Sequence, residues 1–135
     1  MGYLLKHAYL ALEQRTQAAL ADLDMTGRDL GVLRVIAGGD AQSQLEIAAV
    51  LGVDRTSLVA LLDALERKGI VARRPSEQDR RRNVVELTDH GWDVFWQAED
   101  RYADAERTCT AALGDAGTDA LRRALRTMLD GNARA

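Results

Sequence analysis

The chain has 135 residues, of which 47% are hydrophobic and 29% are charged, and its formal net charge is −3. This length fits one domain with or without a helical appendage, and this composition argues against intrinsic disorder. No run approaches the roughly 18 apolar residues of a membrane span, and one cysteine, Cys109, excludes an internal disulfide and a cysteine-based zinc site. Because the N-terminus also lacks the pattern of a signal peptide, we expect a cytoplasmic protein without a membrane partner.

Apolar residues at helical spacing predict helices along most of the chain, in which Pro75 is the single proline. The first predicted helix covers residues 5–23. A second begins after Thr26, a residue type that caps helix N-termini, and stops at Gly38-Gly39.

The segment from Ser43 to Gly69 predicts a helix-turn-helix. Ser43 with Glu46 three residues later has the form of a capping box and begins a short helix. Gly52 ends that helix, and Asp54 caps the next one. The second helix carries four leucines at the spacing of one helix face: Leu58, Leu61, Leu62 and Leu65. From this segment alone, an antiparallel helix pair in a bundle remains the alternative.

The start of this second helix carries side chains suited to DNA. In a helix-turn-helix the second helix enters the major groove, where Arg pairs with guanine, Thr or Ser reaches bases and phosphates, and apolar groups contact the thymine methyl. The residues expected to face bases are Asp54, Arg55, Thr56, Ser57, Val59 and Ala60. Ser43 and Gln44, at the start of the first helix, are expected to contact the DNA backbone.

After Gly69 the pattern changes to two short predicted strands, residues 70–73 and 83–87, joined by a polar loop. Residues 73–82 hold five arginines against Glu77 and Asp79, a net charge of +3 in an acidic chain. A hairpin tip of this kind beside a helix-turn-helix is a wing, which places arginine in the adjacent minor groove; a solvated charge cluster is the alternative. Asp79 is expected to hold Arg81 in place. The predicted wing contacts are Arg73, Arg74, Asp79, Arg80, Arg81 and Arg82.

The last third of the chain predicts two helices. Thr88 is expected to cap a long helix with a near-heptad seam formed by Phe95, Ala98, Tyr102, Ala105, Cys109 and Ala112. Gly114 and Gly117 are expected to break it. A final helix then carries Leu121, Ala124, Leu125 and Met128 at the same spacing.

Four stretches of the sequence, residues 51–57, 65–75, 79–82 and 87–91, resemble the multiple-antibiotic-resistance regulator (MarR) family. The most specific part is the pair Asp79 and Arg81 followed by Leu87, Thr88 and Gly91. The resemblance implies a mainly α fold with a small β-hairpin. In it, a winged helix-turn-helix (26–87) is flanked by N- and C-terminal dimerisation helices (1–24 and 88–135). It also implies a homodimeric transcriptional regulator, with repression the expected outcome, that binds a palindromic operator in double-stranded DNA.

Members of that family respond to small aromatic or lipophilic compounds, so the resemblance implies an effector pocket between the dimerisation helices and the winged unit. The candidate lining residues are His7, Tyr9, Leu12, Trp92 and Trp96. For the two tryptophans, packing in the core is the favoured interpretation, because aromatic pairs at helical spacing are usually core residues.

No catalytic motif appears in the sequence, so an enzyme is not expected. No cofactor and no metal site is expected either, because nothing fixes the spacing of the two histidines, His7 and His90. Cys109 lies in the predicted seam and is not expected to sense oxidants. The alternative function is a winged helix that contacts another protein, with weak or no DNA binding. The acidic net charge and the apolar positions Val59, Ala60 and Ala64 keep that alternative open.

Overall fold

The structure, a computed structural model, describes residues 1–40 and 42–134. It contains six α-helices and one hairpin within those residues. In chain order the elements are α1 (Gly2–Leu20), a 3-10 turn (Ala21–Leu23), α2 (Gly27–Gly38), α3 (Gln44–Leu51), α4 (Arg55–Arg67), β1 (Val71–Pro75), β2 (Asn83–Leu87), α5 (Asp89–Thr110), a second 3-10 turn (Ala111–Leu113) and α6 (Gly114–Ala133). The prediction of a mainly α fold with a small hairpin is confirmed.

Side-chain caps determine where the central helices begin. Thr26 and Asp29 form a complete capping box at α2, with N–H···O distances of 3.1 and 2.9 Å. Ser43 Oγ accepts the backbone N–H of Glu46 at 3.1 Å at the start of α3. The Glu46 carboxylate, however, accepts from the N–H of Gln42. The capping box expected at Ser43 is therefore only half formed, because its return bond goes to the preceding residue.

Two glycines with positive φ set the turns that matter for the architecture. Gly52, at φ +65°, ends α3 and turns the chain toward α4. Gly114, at φ +67°, turns the chain from α5 toward α6. Such angles are adopted readily only by glycine. The expectation that Gly117 also breaks the helix is wrong: Gly117 lies inside α6, where a glycine weakens a helix without ending it.

The two strands form an antiparallel hairpin in which Val71 pairs with Leu87 and Pro75 with Asn83. The first strand begins one residue later than predicted and runs two residues further, into Pro75. The hairpin is attached to the helix-turn-helix through its second strand. There the N–H of Val85 donates to the carbonyl of Gln42 at 2.8 Å, and Ser43 bridges to Val84.

The hydrophobic core lies where the three helices and the hairpin of the winged unit meet the end of α1 and the first half of α5. The largest fully buried side chains are Leu20, Leu30, Leu33, Ile47, Leu58, Leu62, Leu65, Val32 and Val71. From α5, Val94, Phe95 and Ala98 join this core. Of the near-heptad seam predicted along α5, only Phe95 and Ala98 are thus buried; Tyr102, Ala105 and Cys109 are half-buried and Ala112 is exposed.

The terminal helices leave apolar surface uncovered in a single chain. None of the residues of α6 is buried, and Leu121, Met128 and Leu129 are exposed along it. At the other end, Tyr3, Leu4 and the start of α1 are exposed too. Among the described residues, no helix combines the length and the apolar character needed to cross a membrane.

We predict that Gly91→Ala lowers the stability of the fold by about 1–3 kcal/mol, the range expected for overpacking. A Cβ at Gly91 would lie 1.9 Å from the carbonyl oxygen of Ile70, at the point where Thr88 caps α5 and donates to the carbonyl of Gly69. Urea unfolding measures the effect. The control is Gly31→Ala in α2, where a Cβ meets nothing within 4 Å and the free energy of unfolding is expected to stay equal or rise.

Candidate nucleic-acid interface

An open polar groove of about 230 Å³ lies where α3, α4 and the hairpin meet. We call it the wing groove. Its lining residues are Ser43, Gln44, Leu45, Arg55, Arg81, Arg82 and Asn83. The structure therefore brings together the predicted backbone contacts Ser43 and Gln44, one arginine of the helix-turn-helix and two arginines of the hairpin loop. Leu45 was not anticipated from the sequence, because the pattern gives no sign that this apolar residue is 65% exposed.

Of the four polar residues at the start of α4, two form the helix cap and two are exposed to solvent. The Asp54 carboxylate accepts the backbone N–H of Ser57 at 3.0 Å and its hydroxyl at 2.5 Å. These bonds from Ser57 hold the pKa of the Asp54 carboxyl below its usual range. Asp54 and Ser57 thus bond to each other, whereas Arg55 and Thr56 are exposed.

The middle of the predicted reading face of α4 is apolar. Val59 is half-buried and Ala60 is exposed, one turn after Arg55 and Thr56. A methyl-bearing surface at this position can contact the methyl group of thymine but cannot form hydrogen bonds to base edges.

The loop of the hairpin is ordered by its own polar groups. The Asp79 carboxylate accepts the backbone N–H of Arg81 at 3.1 Å, so Asp79 holds the backbone of Arg81 in the way the sequence suggested. The N–H of Ser76 donates to the carbonyl of Arg82 at 2.8 Å and closes the loop. Arg80 is exposed at the tip. Lower in the hairpin, Arg74 pairs across the strands with Glu86 at 3.4 Å and remains about half exposed.

Arg73 differs from the other predicted wing arginines, because its side chain turns inward and is only 19% exposed. Its guanidinium donates to Asp63 at 2.5 Å, to Glu66 at 2.9 Å and to the side-chain oxygen of Gln44 at 3.2 Å. Three of the five N–H donors of this guanidinium bond to the protein. Arg73 is therefore less available to a phosphate than the exposed arginines of the loop, and its direct contact with DNA stays a prediction. We call these four side chains the Arg73 clamp.

The clamp also changes the acid–base behaviour of its members. Hydrogen bonds to Glu66 and Asp63 raise the pKa of the Arg73 guanidinium above its ordinary value. The hydrogen bond from Arg73 lowers the pKa of the Glu66 carboxyl. The sequence indicates this cluster only weakly, through two carboxylates three residues apart on α4 and an arginine on the strand that follows.

The predicted effector residues are only partly brought together. Tyr9 and Leu12 line a second groove of about 450 Å³ between α1, α2 and α5. Thr16, Arg28, Arg34 and Tyr102 are among the other lining residues of this groove.

The three remaining candidates lie elsewhere. His7 packs against the ring of Tyr3, with ring centroids 4.1 Å apart. Trp92 and Trp96 stack on each other at 6.3 Å and are 38% and 60% exposed, so their expected packing in the core is wrong for a single chain. Both indoles pack against the ring of Phe95, with ring centroids 5.8 Å from it for Trp92 and 5.0 Å for Trp96.

Within residues 1–40 and 42–134, no group of three or more His, Cys, Asp or Glu side chains is arranged to hold a metal ion.

We predict that the contribution of Glu66 to stability depends on pH. The pKa of this carboxyl is lower in the folded chain than in the unfolded one, so the stabilisation is present above the unfolded-state pKa and is lost as pH falls through the folded-state pKa. Urea unfolding across this acidic range is expected to show a steeper loss of stability for the wild type than for Glu66→Gln. Parallel pH curves for the two proteins would contradict the assignment.

Comparison with known proteins gives one consistent result. A model described as the MarR family matches residues 23–82. A Thauera aromatica protein named for transcriptional regulation of the hcr operon is 35% identical over 86 residues, which are 64% of this chain and 52% of that protein. The chain thus spans about half the length of the curated relatives that it matches.

Solved structures match over nearly the whole chain. The transcriptional repressor CouR, bound to a 23-mer DNA duplex, is 35% identical with a TM-score of 0.88, over 96% of this chain and 92% of that chain. A mutant of MarR from E. coli complexed with operator DNA is 28% identical with a TM-score of 0.83, over 95% of this chain and 92% of that one. With the winged helix-turn-helix already described, these matches establish that the chain belongs to the MarR family.

Proposed function

We propose that this chain is a sequence-specific DNA-binding transcriptional regulator that acts as a repressor. The observation that carries the proposal is the wing groove, in which Arg55 on α4 and Arg81 and Arg82 on the hairpin loop line one open surface. A helix N-terminus with an arginine suits the major groove of DNA. Arginines on an adjacent hairpin suit the neighbouring minor groove.

Charge supports this assignment even though the chain as a whole is acidic. The binding of a polyanion is steered by the local field of a patch and not by the net charge. In the DNA-facing region Asp54 caps α4, and Asp79 is bonded to the backbone of Arg81. Two carboxylates in the region are thus used as local structural acceptors, while Arg55, Arg80 and Arg81 remain exposed.

The relatives support the same function. CouR is named a transcriptional repressor and was solved on a DNA duplex, and the E. coli MarR mutant was solved with operator DNA. We extend DNA binding and repression from those proteins to this chain. A regulator of this kind acts on the chromosome, so a cytoplasmic location forms part of the proposal. The proposal also assigns the chain no enzymatic activity.

A homodimer is proposed because the terminal helices need a partner surface. Large apolar side chains are exposed along α6 and at the start of α1, and exposed apolar patches mark interaction surfaces. We propose that residues 1–24 and 88–135 form the dimerisation region and that residues 26–87 read DNA. A two-fold symmetric dimer places two copies of α4 on a palindrome with half-sites about one helical turn apart.

An effector site is proposed in the groove lined by Tyr9, Leu12 and Tyr102. Its two tyrosine rings and Leu12 suit a small aromatic or lipophilic compound, and polar side chains such as Thr16, Arg28 and Arg34 form the rest of its walls. Such a compound weakens DNA binding only if it binds more tightly to a dimer whose two copies of α4 are wrongly spaced.

We predict different effects for two arginine variants. Arg81→Ala is expected to weaken binding to every DNA sequence and to lower the salt dependence, the slope of log K against log salt, by about one unit, because one phosphate contact is lost. Arg55→Ala is expected to lower discrimination between an operator and a mutated site by about 1–3 kcal/mol. Fluorescence anisotropy titrations against the DNA upstream of the chain's own gene, at several salt concentrations, measure both quantities.

The control is Arg101→Ala, which removes one positive charge outside the wing groove, where Arg101 pairs with Asp22. This variant is expected to bind DNA as the wild type does. If Arg55→Ala and Arg81→Ala also bind like the wild type, the wing groove is not the DNA-binding surface. Absence of DNA binding by the wild type would favour the alternative, a winged helix that contacts another protein.

A further inference from the structure

Arg73 is the point at which three elements of the winged unit are joined by side chains. It lies on β1, and its guanidinium reaches Asp63 and Glu66 on α4 and Gln44 on α3. Gln44 itself lines the wing groove beside Arg55 and Arg81. The clamp is thus built directly behind the surface proposed to read DNA.

The hairpin is held on both of its strands, but by different means. The strand β2 is attached by backbone bonds, from the N–H of Val85 to the carbonyl of Gln42 and through the bridge between Val84 and Ser43. The strand β1 is attached to α4 by the fork of Arg73. A guanidinium is suited to this task, because its donors are held in one plane and three acceptors can be satisfied at once.

We propose that Arg73 is a positioning residue for DNA recognition, which sets the distance and angle between the wing arginines and Arg55. The inference rests on the proposed function. Two groups that must enter adjacent grooves of one duplex bind more tightly when they are held in place beforehand, since less freedom is lost on binding. Arg73 therefore acts on DNA through Arg55, Arg81 and Arg82 and makes no phosphate contact of its own.

The two carboxylates of the clamp allow an experiment to distinguish positioning of the wing from a direct effect of charge on DNA affinity. Asp63 and Glu66 are carboxylates on the helix that is proposed to enter the major groove. On charge alone, replacing them with neutral amides favours binding to any DNA, because repulsion of the phosphates is reduced. If the clamp positions the wing, the same replacement weakens binding to the specific site. The two explanations thus predict opposite signs.

The test uses the full chain with two duplexes, one selected by the wild type from a random-sequence pool and one with that sequence scrambled. Arg73→Lys keeps the positive charge but loses the fork. We expect the ratio of specific to non-specific affinity to fall by about tenfold, the order of coupling found within one hydrogen-bond network. The salt dependence is expected to stay unchanged. The double variant Asp63→Asn with Glu66→Gln is expected to bind the selected duplex more weakly than the wild type.

The matched control is Glu77→Gln, which removes a carboxylate of the hairpin loop outside the clamp. It is expected to bind both duplexes somewhat more tightly, with an unchanged affinity ratio. Reduced folding of a variant lowers the active concentration for both duplexes equally, so a purely structural role of Arg73 leaves the ratio unchanged. Thermal unfolding of each variant gives the folded fraction independently.

The inference is overturned if Arg73→Lys keeps the wild-type affinity ratio, or if the double variant binds both duplexes more tightly. It is also overturned if Arg73→Met lowers the salt dependence by about one unit with the ratio unchanged, because that result indicates a direct phosphate contact. Failure of the proposed function looks different: the wild type then enriches no duplex from the random pool and does not distinguish selected from scrambled DNA.

Discussion

The burial of one face of α4 is the constraint on which the rest of the molecule depends. Leu58, Leu62 and Leu65 are completely buried against the other helices and the hairpin. Because a helix turns by about 100° per residue, burial of this face determines which residues point outward. Arg55, Thr56 and Ala60 are exposed for that reason and not through contacts of their own. The position of the hairpin follows, since it packs on the same core through Val71 and Val85.

The acidic residues around the wing groove explain how an acidic chain can present a basic surface. Asp54 is bonded at the cap of α4, Asp79 supports the loop, and Asp63 and Glu66 hold Arg73. Each carboxylate therefore faces a donor of the protein. Carboxylates used in this way order the arginines beside them, and their repulsion of a phosphate backbone is reduced. Net charge alone is a poor guide to the partner of such a chain.

The terminal helices differ from the winged unit in how much of their apolar surface is buried within one chain. The winged unit buries most of its large apolar residues within one chain, whereas α6 buries none of its own and α1 contributes Thr16 and Leu20. The stability of α6 and of the exposed start of α1 is thus expected to depend on association. The parts of α1 and α5 that join the core are held within the single chain. The groove lined by Tyr9 and Tyr102 lies where these two parts meet, between α1, α2 and α5.

The sequence by itself determined the local features: the caps at Thr26, Asp54 and Thr88, the turn at Gly52, the hairpin, and the support of Arg81 by Asp79. Each of these depends on residues within a few positions of one another, so the signal is present in a short window. The tertiary structure decided whatever depends on distant partners. Five wing arginines looked equivalent in the sequence, but only the packing of β1 against α4 turned Arg73 inward. The same reason applies to the exposed tryptophans and to the lining of both grooves, because spacing along one helix does not reveal which neighbour covers each face.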